Sequence, residues 1–207
     1  LVPVNPARGV LRDGRGVSRV LTYAPPTRPG VADEDHAHER NERYQLVPYN
    51  PAEACLLASA AQDRNVCLYD VRAKTPVRKV VLSMRTNALA WNPMEPFNFT
   101  VANEDHNLYS FDMRKLDQAT CVHMDHTGAV LDIDFSPTGQ EFVSGSYDRT
   151  LRIFKRPGKS GSGHSREVYH TRRMQRIFCV KYSMDSKYVL SGSDDTNIRL
   201  WKADASK

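Results

Sequence analysis

The stretch "VLSGSDDTNIRLWKA", residues 189–203, sets two adjacent carboxylates, Asp194 and Asp195, between a strand of small residues and an apolar strand ending in Trp201. Acids so placed are either a catalytic pair or a device of the fold. Recurrence separates the two, because a catalytic pair occurs once in a chain and a fold device returns with every unit it holds. The design returns in "FVSGSYDRTLRIFKR" (142–156), "FTVANEDHNLYSFDMR" (99–114) and "LLASAAQDRNVCLYDVR" (56–72). Asp63, Asp105, Asp148 and Asp195 each close a short polar turn, and an aromatic follows six positions later: Tyr69, Phe111, Phe154 and Trp201. Successive aspartates lie 42, 43 and 47 residues apart, the period of a β-propeller blade and too long for an ankyrin or leucine-rich unit. The acids are read as structural.

Around each turn the units share one plan. First strands are expected in "YQLVPYNP", "NALAWNP", "AVLDIDFSP" and "RIFCVKYSMD". A strand of small residues, the Asp turn and the aromatic strand follow. Between units, "PVRKVVLSM", "ATCVHMD" and "SREVYHT" read as outer strands. Four strands per unit make a blade, so residues 44–207 are predicted to be all-β, with four recognisable propeller blades. Residues 1–43 stand outside the scheme. They are rich in Pro and Gly, carry the charged run "ADEDHAHERNER", and offer at most one strand in "GVSRVLTY" (16–23). Composition predicts a divergent or disordered segment there, and a flexible Gly/Ser loop at 156–165.

With 40% hydrophobic and 26% charged residues, the 207-residue chain has the composition of a soluble globular protein. No apolar run approaches the length that spans a bilayer, and the first residues lack the apolar core of a secretory signal. An intracellular chain without membrane contact is expected. The four cysteines, Cys55, Cys67, Cys121 and Cys179, form no CxxC pair and have no His at metal-ligand spacing, so they read as buried free thiols and no metal or cofactor is expected. "PGKSG" lacks the first glycine of a phosphate-binding loop, where Ile153 stands. No GxSxG, HExxH or dinucleotide fingerprint occurs, so the chain is read as non-enzymatic.

The Asp turns resemble those of WD-repeat blades, in which a His ahead of the first strand, a Ser or Thr on the second, the turn Asp and a Trp on the third bond in series. His170, Ser191, Asp195 and Trp201 could supply the whole set. His126, Ser144 and Asp148 supply it up to Phe154, which has no N–H to donate.

Charge is placed unevenly. The net charge is +5, yet Lys155, Arg156, Lys159, Arg166, His170, Arg172, Arg173, Arg176 and Lys181 crowd into 155–181 against Glu167 alone. Clustered cations fit phosphate or an acidic protein surface, and Arg166, Arg172, Arg173 and Arg176 are the candidate contacts. Two strand ends, "LYDVR" (68–72) and "FDMR" (111–114), share the order aromatic, Asp, any residue, Arg. They resemble the WDxR box with which WD-repeat receptors dock on the adaptor of cullin-RING ubiquitin ligases, with Arg72 and Arg114 at the box arginine.

Longer runs narrow the resemblance. "DRNVCLYDVR" (63–72), "MRTNALAWNPMEPFNFTVANEDHNLYSFDMR" (84–114), "HMDHTGAVLDIDFSPTGQEFVSGSYD" (123–148), "SREVYHTRRMQ" (165–175) and "MDSKYVLSGSDDTNIRLWKA" (184–203) resemble the suppressor-of-fibrillarin type of WD-repeat proteins. That likeness implies part of a seven-bladed ring. It also implies a nucleolar component of the small-subunit processome, acting on precursor ribosomal RNA with a box C/D small nucleolar ribonucleoprotein and pre-ribosomal proteins. Relatives of this type are also described as cullin-RING ligase receptors.

Overall fold

A computed structural model of the chain describes residues 44–46, 48–73, 76–156 and 163–205. The expectations for residues 1–43, including the strand at 16–23, and for 157–162 of the Gly/Ser loop lie outside the described residues.

Among the described residues, fifteen strands run in sequence order through four antiparallel sheets. The first sheet holds β1 (Tyr44–Leu46), β2 (Leu56–Ala61), β3 (Asn65–Asp70) and β4 (Pro76–Val81). The second holds β5 (Thr86–Trp91), β6 (Asn98–Asn103), β7 (Leu108–Asp112) and β8 (Cys121–His123). The third holds β9 (Val130–Phe135), β10 (Glu141–Ser146), β11 (Leu151–Lys155) and β12 (Ser165–Tyr169). The fourth holds β13 (Ile177–Tyr182), β14 (Tyr188–Ser193) and β15 (Ile198–Lys202). Each sheet is one blade, and each pairs its strands in chain order.

Stacking of the blades explains why the second strands look as they do. A strand covered on both faces is continuously buried, while one covered on a single face alternates. In β6 and β10 every residue after the first is buried, and in "FVSGS" small side chains allow that close approach. A Cβ on Gly145 would stand 2.7 Å from Ile177 Cγ2 on the next blade, so only glycine fits there. In the fourth blade β14 alternates instead. Leu190, Ile198 and Leu200 occupy the register of Val143, Leu151 and Ile153, yet Leu200 is 62% exposed where Ile153 is 0% exposed. The third blade buries those side chains against Ile177, Val180, Tyr182 and Val189 of the fourth.

Inner strands sit side by side and lack a sheet partner along their inner edge. Side chains from the neighbouring blade meet that need. Asp132 and Asp134 on β9 accept from the Val180 and Tyr182 N–H groups of β13, both at 2.8 Å, and Asp134 also takes Lys181 Nζ at 3.0 Å. Asn87 Nδ2 on β5 donates to the Val130 carbonyl at 2.8 Å. Burial raises the Asp132 carboxyl pKa, although the Val180 and Ile133 N–H groups work against the shift. The cysteines correct one expectation: Cys179 is exposed, and Cys55, Cys67 and Cys121 are only partly buried.

Candidate partner-binding faces

Each blade has two ends. One carries the turns between second and third strands together with the connections to the next blade. The other carries the turns between first and second strands and the connections from third to fourth.

At the first end the four aspartates do the same local work. Each accepts the backbone N–H two residues on: Asp63 from Asn65 at 3.0 Å, Asp105 from Asn107 at 3.1 Å, Asp148 from Thr150 at 2.9 Å and Asp195 from Asn197 at 3.3 Å. The residue between them takes a left-handed backbone, with φ of 65° at Arg64, 74° at His106, 64° at Arg149 and 63° at Thr196. That geometry reverses the chain.

In the third blade the polar series closes. The Asp148 carboxylate can only accept, so His126 Nδ1 donates to it at 2.8 Å, while His126 Nε2 lies 2.7 Å from Ser144 Oγ. Thr150 Oγ1 adds a bond of 2.6 Å. Burial works to raise the Asp148 carboxyl, but the His126 and Thr150 donors outweigh it and hold the group well below the usual carboxylate range.

The fourth blade departs from expectation. Trp201 Nε1 donates to Ser191 Oγ at 2.8 Å, but His170 is exposed and takes no part. Arg173, not His170, stands 47 residues after His126, and an exposed arginine cannot bridge Ser191 to the turn. Asp195 turns to Arg199 instead, with Nη1 at 3.0 Å, and the Arg199 bonds hold its carboxyl well below the ordinary range. His170 falls in the register of His123, whose buried ring serves the second blade: Nδ1 donates to the Gly163 carbonyl at 3.1 Å and Nε2 lies 3.3 Å from Ser110, itself 2.9 Å from Thr100. The sequence reading missed that second polar series, and the repeated His was its signal.

The arginines of the basic interval divide. Arg172 and Arg173 are exposed in the β12–β13 connection. Arg176 closes that connection, where its carbonyl accepts from Asp194 N at 2.9 Å and its guanidinium lies 4.9 Å from the Tyr147 ring centroid. Arg166 lies elsewhere. Half-buried near the other end, it bonds Glu141 at 3.0 Å, Glu167 at 2.5 Å and the Ala203 carbonyl at 2.5 Å, tying the third blade to the fourth. Its head is committed to that clasp, which removes it from the candidate contacts at the Asp-turn end.

The second end carries Arg72 and Arg114, both exposed and just beyond third strands of adjacent blades. Asp70 and Asp112 accept the Arg72 and Arg114 backbone N–H groups at 2.9 Å each. Arg114 also grips Asp112 with two nitrogens, Nε at 3.0 Å and Nη2 at 2.7 Å, and its guanidinium stands 4.7 Å from the Phe97 ring centroid. Those bonds hold the Asp112 carboxyl below its ordinary value. Inter-blade latches that the sequence reading missed repeat here. Asn50 Nδ2 donates to the Pro96 carbonyl at 2.6 Å, Asn92 Nδ2 to the Gly139 carbonyl at 3.1 Å, and Ser136 Oγ to Ser186 Oγ at 3.1 Å. The recurring aromatic, Asn or Ser, then Pro at 49–51, 91–93 and 135–137 was the available signal. Gly139, at φ 66°, has no room for a Cβ, which would meet Asn92 Oδ1 at 2.5 Å.

Comparison with known proteins agrees with this architecture. Residues 119–155 and 159–202 match the WD domain, G-beta repeat family. The chain is 58% identical over 166 residues to "DDB1- and CUL4-associated factor 13" of Danio rerio, a match covering 80% of this chain and 36% of that protein. It is 57% identical over 159 residues to "Protein SOF1" of Saccharomyces cerevisiae, covering 77% of this chain and 32% of that protein. This is a WD-repeat chain of the suppressor-of-fibrillarin type. It spans about a third of the length of the curated relatives it matches.

The two blade ends of this WD-repeat chain offer different chemistry. The Asp-turn end presents uncommitted guanidinium groups. The other presents two Asp-x-Arg corners and, at the same end of the blades, exposed Val71, Met94, Phe97 and Met184. Among the described residues, no group of three or more His, Cys, Asp or Glu side chains is placed to hold a metal ion.

Proposed function

We propose that the chain is part of a non-enzymatic nucleolar scaffold. It serves the small-subunit processome in precursor ribosomal RNA processing, alongside pre-ribosomal proteins and a box C/D small nucleolar ribonucleoprotein. The likeness to "Protein SOF1" supports the setting. The observation that carries a docking role is the exposed cluster Arg172, Arg173 and Arg176, at an end where Asp148 and Asp195 are held by internal partners. Uncancelled cations of this kind attract an acidic partner and steer its approach.

A second reading has its own support. Arg72 and Arg114 occupy matching corners of adjacent blades, each with its Asp bonded to the backbone. The relatives named "DDB1- and CUL4-associated factor 13" are by that name associated with an adaptor and a cullin. On this reading the second end docks a ligase adaptor.

Pull-down of the chain from growing cells, followed by sedimentation, separates the readings. Reversing Arg172, Arg173 and Arg176 to Glu is expected to abolish recovery of pre-ribosomal particles and leave adaptor recovery intact. Changing Arg72 and Arg114 to Ala is expected to do the reverse. Unchanged association in both variants would contradict both site assignments.

A further inference from the structure

The Asp-turn end of the third and fourth blades carries more than its loop arginines. Because the Arg176 guanidinium lies over the Tyr147 ring at 4.9 Å, the β10–β11 turn and the β12–β13 connection form one continuous surface. Tyr147 keeps 40% of its area exposed. Two residues on, Arg149 is exposed at the turn tip and holds φ 64°, a backbone state that costs a side-chain-bearing residue about 1 kcal/mol or more and glycine almost nothing. The neighbouring acids face other partners rather than these arginines: Asp148 bonds His126, Asp195 bonds Arg199, and Asp125 bonds Ser165 and His164. Asp194 is the exposed acid beside the cluster.

We propose that this surface binds single-stranded RNA, with Arg149, Arg172 and Arg173 on phosphates and one base stacked on the Tyr147–Arg176 pair. The proposal rests on the reading of this end as the docking end, and it names the partner class. Guanidinium forks match phosphate oxygens two at a time. A phenol ring already layered with a guanidinium extends naturally to a base, whereas a carboxylate side chain has no face to stack. The strand must be single, because duplex bases are stacked on each other and cannot reach Tyr147.

The test titrates the full chain into a fluorescent mixed-sequence RNA of about twelve nucleotides, read by anisotropy at salt from about 50 to 200 mM. Three guanidiniums on the phosphates of a single strand predict that log affinity falls with log salt at a slope of about −2. Tyr147→Ala is expected to weaken binding about tenfold at every salt and to leave the slope unchanged, while Tyr147→Phe retains affinity. Arg149→Ala is expected to weaken binding and make the slope shallower by just under one unit. Circular dichroism checks that each variant is folded. Unchanged affinity in Tyr147→Ala overturns the stacking site. Displacement of the RNA by polyglutamate at equal charge concentration overturns RNA as the partner and leaves the docking end standing for an acidic protein. Binding of neither probe overturns the proposal together with the docking end beneath it.

Discussion

At the Asp-turn end of the third and fourth blades, Asp148 and Asp195 are held by internal partners while Arg149, Arg172 and Arg173 are exposed; at the opposite end Arg114, Arg156 and Arg166 are held by carboxylates and apolar side chains are exposed. Asp148 is locked to His126 and Thr150, while Arg149, Arg172 and Arg173 stand in solvent. Across the blades, Arg156 pairs with Glu95 of the second blade, while Arg166 pairs with Glu141 within the third blade and reaches the Ala203 carbonyl of the fourth. Met184 is 90% exposed at that end of the fourth blade, and Met94 and Phe97 are exposed at that end of the second. The difference teaches that residue type alone does not mark a binding arginine. An arginine that latches blades and one that awaits a partner are told apart only by what already fills the guanidinium fork.

Substitutions at the two ends should therefore fail differently. The largest loss is expected for Asp148→Ala, at about 3 kcal/mol in urea unfolding, because several charge-assisted bonds go at once and Nδ1 of buried His126 is left unpaired. Arg166→Ala comes next, at about 2 kcal/mol, since Glu141 and Glu167 lose their partner in a half-buried clasp. A loss below about 0.5 kcal/mol would show the clasp to be surface decoration. Trp201→Phe removes the donor to Ser191 while preserving an aromatic, as Phe154 does in the third blade, and should cost about 1 kcal/mol. Arg172→Ala should stay within about 0.5 kcal/mol, the range of exposed sites.

Acid sharpens the same contrast. The Asp148 carboxyl is depressed in the folded chain, so its stabilisation is present above the unfolded carboxylate pKa of about 4 and is lost as pH falls below it toward the folded value. Between those two values the unfolded chain binds the extra proton, and stability rises with pH. Asp148→Asn is expected to flatten that part of the stability curve, and an unaltered acid slope would mean that other carboxylates set it.

Much of this was legible because it is local. An Asp followed by an aromatic six residues later marks a turn and its strand with no neighbour needed, so Asp63, Asp105, Asp148 and Asp195 located four blades. Contacts between blades were harder to read. Arg199 captures Asp195 because Arg173 stands where His126 does one blade earlier, a fact visible only once the registers are aligned. Arg166 looked like a binding cation because its partners Glu141 and Ala203 lie 25 and 37 residues away. The Asn50 and Asn92 latches span 46 and 47 residues, one blade period, and no single unit displays them.

The division between the ends is tested most directly by measuring unfolding free energy and RNA affinity on one set of alanine variants: Arg149, Arg172, Arg173 and Arg176 from the first end, Arg156 and Arg166 from the second. The account predicts that the first four lose RNA affinity at unchanged stability and that the last two lose stability at unchanged affinity of the folded chain. Loss of RNA affinity on changing Arg156 or Arg166, or loss of stability on changing Arg172 or Arg173, would contradict it.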